Sequence, residues 1–94
     1  MKADAATDEA VPRLPRGVKL RFDQVRNSWM LLAPERAFQI DEAAAGILKL
    51  CDGERTLATV IAETAAAYNE APSVVDADIR AMLVDLANKR VLEL

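Results

Sequence analysis

Apolar and charged residues alternate over residues 18–22, with Val18, Leu20 and Phe22 set against Lys19 and Arg21. A period of two is that of a strand with one buried face. Residues 29–33 (Trp-Met-Leu-Leu-Ala) are apolar on both faces, which predicts a central strand. Residues 23–28 between them are polar except for Val25 and hold the first turn. Pro34 and Glu35 then stop the second strand, because proline presets a turn angle and has no N–H for a ladder. Residues 37–40 make a third strand. The pattern predicts a three-stranded antiparallel meander.

From Asp41 the period lengthens to that of a helix. Asp41 sits where an N-cap belongs, its carboxylate available to the first-turn N–H groups. Ala44, Ile47, Leu48 and Cys51 then share a face, and Gly53 follows as a C-terminal cap. A second helix starts near Thr56 with Leu57, Val60, Ile61, Thr64, Ala65 and Tyr68 on one side, and Asn69 and Pro72 close it. The third opens at Ser73, where Asp76 gives a capping-box-like pair. Its stripe is Val75, Ile79, Met82, Leu83, Leu86 and Ala87. Residues 91–94 read as a helix end or a short strand. The order β-β-β-α-α-α points to an α+β architecture with the helices on one face of the sheet. Residues 1–16 are rich in Ala, Asp and Pro and bury little, so a flexible tail or linker is expected there. Leu14, between Pro12 and Pro15, is the residue in it suited to docking. Residues 17–94 form the folded domain.

Ninety-four residues make one domain, and an apolar share of 52% builds a real core. A chain of this size buries only about 60–65% of its unfolded surface, which leaves no room for a deep enclosed pocket. The formal charge is −3, unevenly spread. Residues 17–40 carry Lys19, Arg21, Arg26 and Arg36 against Asp23 and Glu35, while residues 41–94 hold five bases against ten acids. A nucleic-acid binder needs a basic face. A winged helix-turn-helix would send the third helix into a groove. That helix instead begins with Asp76 and Asp78, and the helix before it has neither Lys nor Arg.

The chain offers little chemistry. It has no His, one Cys and no Gly-rich phosphate loop. Cys51 falls at a helix C-terminus, where the dipole disfavours a thiolate, and reads as a small buried hydrophobe. A lone cysteine suits a reducing compartment. Asp76, Asp78 and Asp85 are spaced for a solvated helix face rather than a metal site. Residues 52–56 read as the end of one helix and the cap of the next. No cofactor, metal or catalytic set is expected. The N-terminus lacks a signal-peptide core, and no apolar run nears the ~20 residues of a membrane span. A soluble cytoplasmic protein without a membrane partner is expected.

What remains is a sheet edge. Ala37, Phe38, Gln39 and Ile40 form the last strand of the meander. An uncovered edge is either blunted or used to capture an extended peptide. The third helix would form the second wall of such a groove, with Arg80 and Val84 beside its stripe. If the Phe38 N–H points outward, a proline there removes a donor for the guest. The same edge would also serve a homo-oligomeric scaffold, and a winged-helix DNA-binding regulator is the other alternative.

The run LLAPERAFQIDEAAAGILKLCDGERT, residues 31–56, resembles the pyrroloquinoline quinone biosynthesis protein D (PqqD) family. Leu31-Leu32, Pro34-Glu35, Ala44, Ile47-Leu48, Cys51-Asp52-Gly53 and Arg55-Thr56 carry the likeness, which continues more loosely to Leu94. The resemblance implies a small winged-helix-like domain that recognises a ribosomally made precursor peptide. It implies further that the domain binds the precursor of pyrroloquinoline quinone (PQQ) as an added strand and presents it to a radical S-adenosylmethionine enzyme, which cross-links a Glu and a Tyr. By the same resemblance the receiving strand is Arg36, Ala37, Phe38, Gln39 and Ile40, and the wall is Arg80, Leu83, Val84 and Ala87. The first hairpin departs from the family's glycine-containing turn, having Arg26-Asn27-Ser28.

Overall fold

The computed structural model describes residues 6–94. Strands β1 (Lys19–Asp23), β2 (Ser28–Ala33) and β3 (Arg36–Ile40) precede helices α1 (Glu42–Leu50), α2 (Leu57–Ala67) and α3 (Pro72–Asn88). The sheet is an antiparallel meander in the order β1-β2-β3. The expected α+β order therefore stands.

Cross-strand partners explain the buried face. Leu20, Leu31 and Phe38 lie side by side, as do Phe22, Trp29 and Ile40. Successive side chains in a strand alternate, so these six share one face. Leu31 on that face is fully buried. It packs with Leu48, Leu57, Val60, Leu83 and Val91 into one core between sheet and helices. Trp29 ties the sheet to α1. Phe22 meets it edge-on with ring centres 5.3 Å apart, and the Lys49 ammonium lies 4.2 Å from the Trp29 ring centre.

Two helix starts follow expectation. Asp41 accepts the Ala44 N–H at 2.7 Å, and Thr56 accepts that of Thr59 at 3.2 Å. The start of α3 differs. Pro72 opens the helix and Ala71 is an N-cap without a side-chain hydrogen bond. Ser73 lies inside the first turn, and Asp76 turns to Arg80 instead of the backbone. Proline suits the first helical position, where its missing N–H costs nothing and its angle is preset. Gly53 also differs: its φ is +79°, but its N–H donates to the Pro12 carbonyl.

That bond belongs to a larger departure. Residues 6–16 do not trail free as the expected flexible tail; they lie along the helical layer. The Ala10 carbonyl accepts the Leu57 N–H at 2.7 Å and the Asp8 carbonyl that of Ala58 at 3.1 Å, so the segment satisfies donors left open at the start of α2. Arg13 exchanges both backbone hydrogen bonds with Glu93, each 2.9 Å, which makes residues 91–94 a short strand-like bridge. Pro12 is fully buried, and Leu14 packs against the core. Composition argued for disorder because the segment has few large apolar groups. Its order comes from backbone groups elsewhere that needed partners. Residues 1–5 of that expected tail lie outside the described residues.

Candidate peptide-binding edge

The β2–β3 turn fixes which backbone groups of β3 are free. Ala33 faces Arg36 across a two-residue loop of Pro34 and Glu35, and Glu35 has φ +63°. Proline followed by a positive-φ residue is the type II pattern, whose bond runs from the fourth residue's N–H to the first residue's carbonyl. Ala33–Arg36 is thus a hydrogen-bonded pair, and along an antiparallel ladder such pairs alternate with open ones. Leu31–Phe38 and Trp29–Ile40 are bonded pairs; Leu32–Ala37 and Met30–Gln39 are not. Ala37 and Gln39 therefore point both N–H and C=O away from β2, toward the outer edge. Phe38 spends its N–H on β2. The proline test at Phe38, conditional on an outward N–H, is corrected by this parity. Among the described residues no strand pairs with that outer edge.

On the inner side of β3, Phe38 and Ile40 are half-buried against the core. Helix α1 packs against β1 and β2, and α3 packs chiefly on α2. What joins β3 to α3 is a set of contacts at the turn end. The Arg36 guanidinium donates to the Lys89 carbonyl at 2.7 Å. Its carbon lies 5.7 Å from the Phe38 ring centre, and the Lys89 ammonium lies 5.9 Å from it. Lys89 is paired to Asp85 at 2.7 Å, whereas Arg36 meets a carbonyl and a ring but no carboxylate among the described residues. Arg36 is the cation this edge presents.

The expected wall residues divide. Leu83 and Ala87 lie in the core. Arg80 and Val84 are on the wrong flank. Arg80 is nine residues from Lys89, two and a half turns at about 3.6 residues per turn, so the two face opposite ways. Arg80 is taken up by the N-terminal segment: it donates to the Ala6 carbonyl and to the carboxylates of Asp8 and Asp76. Its hydrogen bonds to Asp76 and then to Asp8 push its pKa above the ordinary value, and Arg80 in turn holds the Asp76 carboxyl below its own. Val84 lies beside it on the same flank. The flank that meets Phe38 does so through Lys89, with Asp85 paired to it, and Met82 falls on that side by helical spacing. Sequence reasoning missed these three because both flanks border the same apolar stripe.

Other candidates stay structural. Cys51 is buried, and desolvation, with Asp52 nearby, pushes its thiol up to about 12. No group of three or more metal-ligating side chains is gathered among the described residues. In the same residues no helix is long and apolar enough to cross a membrane. The carboxylates around Arg80, the one base within α3, cancel its charge, so that helix offers nothing to a phosphate backbone.

A small meander with an unpaired edge, backed by three helices, fits the class of small peptide-recognition domains. The comparison with known families agrees. The chain belongs to the PqqD family: the model for coenzyme PQQ synthesis protein D (PqqD) matches residues 28–92. Over 83 residues it is 53% identical to the bifunctional coenzyme PQQ synthesis protein C/D of Methylorubrum extorquens, covering 88% of this chain but only 22% of that protein. A protein of Rhodopseudomonas palustris named PqqA binding protein is 44% identical over 94% of this chain and 86% of its own length. The solution structure of the PqqD truncation of Methylobacterium extorquens PqqCD superposes with a TM-score of 0.84 at 49% identity, covering all of both chains. That truncation is described as a functional, stand-alone recognition element for ribosomally synthesized and post-translationally modified peptides. The crystal structure of PqqD from Xanthomonas campestris is 33% identical, with a TM-score of 0.59 over 94% of this chain and 98% of that one.

Proposed function

We propose that this protein is a non-catalytic chaperone for the precursor peptide of PQQ. It binds the peptide by adding it as a fourth strand to β3 and presents it to the radical S-adenosylmethionine enzyme of the same pathway, in the cytoplasm. The guest pairs with Ala37 and Gln39. Its side chains alternate between the cleft under Phe38 and Ile40 and the outer face of the sheet. Residues 17–94 supply this surface. The flank of α3 with Met82, Asp85 and Lys89 replaces Arg80 and Val84 as the second wall.

One observation carries the reading: two residues on an uncovered edge turn every backbone hydrogen-bonding group outward, beside an unneutralised Arg36. Relatives named for PqqA binding supply the class of guest. An amide-resolved titration with PqqA peptide tests it. Shifts should gather on Arg36–Ile40 and on residues 82–89. Shifts confined to residues 56–68 contradict it. The same edge fits a second copy of this chain, so a sedimentation run belongs beside the titration. A dimer that persists and takes no peptide makes the protein a scaffold instead.

A further inference from the structure

A second cavity opens where β3 ends. It has a volume of about 540 Å³ and lies among the three helices. Asp41, the residue after β3, lines it, so the cavity lies beside the end of the proposed receiving strand. Its floor is apolar, with Ile47 from α1 and Val75, Ile79 and Met82 from α3. Three carboxylates line it: Asp41, Glu70 and Asp78. Among the described residues none of the three is in an ion pair. Thr64 also lines it. That side chain is 6% exposed, and its hydroxyl is buried with no hydrogen-bond partner. A buried hydroxyl left without a partner is unfavourable, and it marks this wall as polar beneath an apolar floor.

An apolar floor rimmed by unpaired carboxylates describes one kind of guest group. We propose that this cavity takes a lysine or arginine side chain of the same precursor peptide, just beyond the segment paired with β3. The aliphatic stem lies on Ile47, Ile79 and Met82, and the charged end meets the carboxylates. The N-terminus of α1 opposes a cation here with only about half a positive charge, against three negative ones. The groove thereby has a polarity, with Arg36 at the turn end of β3 and carboxylates at the other. A guest run in the wrong direction brings its cation toward Arg36 and away from the carboxylates, so charge favours one orientation.

This inference rests on strand addition at β3, and one experiment separates the two. PqqA peptide is titrated into the wild-type protein and into an Asp78→Asn, Glu70→Gln double variant, with amide-resolved detection. Both positions are exposed, so the fold is unaffected. In the wild type, amides of Thr64, Asp78 and Met82 should move together with those of Ala37 and Gln39. The double variant should bind about five- to tenfold more weakly, as for loss of a partly desolvated charge contact. Peptides with each Lys and Arg replaced in turn by norleucine complete the cycle. One replacement should lose the same affinity and lose nothing more against the double variant. If Ala37 and Gln39 move while Thr64 and Asp78 stay still, or if the double variant binds as wild type, the cavity is not a subsite and strand addition stands. If Ala37 and Gln39 do not move, strand addition itself fails.

Discussion

At the residue scale, function turns on which way single N–H groups point. Ala37 and Phe38 are neighbours with opposite roles, because bonded and open pairs alternate along the ladder. Ala37→Pro should leave the fold intact and weaken peptide binding at least about tenfold, since it deletes a donor that only the guest uses. Phe38→Pro should instead break the β2–β3 ladder and cost about 3 kcal/mol or more of stability. Thermal melts and peptide titration of the two variants separate these outcomes; equal effects contradict the parity. The strand itself was legible from Ala37, Phe38, Gln39 and Ile40. Its parity was not, because it follows from the turn geometry, in which Arg36 closes the Pro34-Glu35 loop with its N–H.

At the scale of elements, α3 has two flanks with separate tasks. One faces β3 through Lys89, and the other holds the N-terminal segment through Arg80. Arg80→Met should leave peptide affinity unchanged and lower stability by about 1–2 kcal/mol through the lost strap. Arg36→Gln should do the reverse, with affinity down about three- to tenfold, mostly in the on-rate and more so at low salt. Stopped-flow association and denaturant titration read both. Weaker binding in Arg80→Met would return that residue to the groove wall. The apolar stripe of α3 was plain in the sequence, since its 3.6-residue period shows wherever a core lies. The stripe does not say which border faces which neighbour. That depends on how the helix is laid across the sheet, and here on a segment whose composition hid its order.

For the whole molecule, carboxylates hold the periphery to the core. Asp76 is depressed by its hydrogen bond to Arg80, and Asp52 by the Arg55 and Glu54 backbone N–H groups. The native state thus favours both ionised forms. Their contribution is complete above the ordinary carboxylate value of 3.8 and is lost as pH falls through the lower folded values. The melting temperature should hold steady from about pH 7 to 5 and decline below about pH 4. Amides of Leu57 and Ala58, which donate to the segment's carbonyls, should lose protection before those of β2. A melting temperature unchanged down to about pH 2.5 contradicts this. At this scale the layer order and the family were readable, because alternation, helical period and the residue 31–56 run are local signals. The strap, the Arg36–Lys89 bridge and the acidic cavity join residues distant in sequence, and no local pattern announces them.

Hydrogen exchange of the β3 amides, with and without saturating PqqA peptide, tests the central claim most directly. In the free protein Phe38 should already be protected while Ala37 and Gln39 exchange fast; peptide should slow Ala37 and Gln39 at least about a hundredfold, as for amides newly held in a ladder. If those two amides are protected in the free monomer, or stay fast with peptide bound, the guest does not complete the sheet at β3.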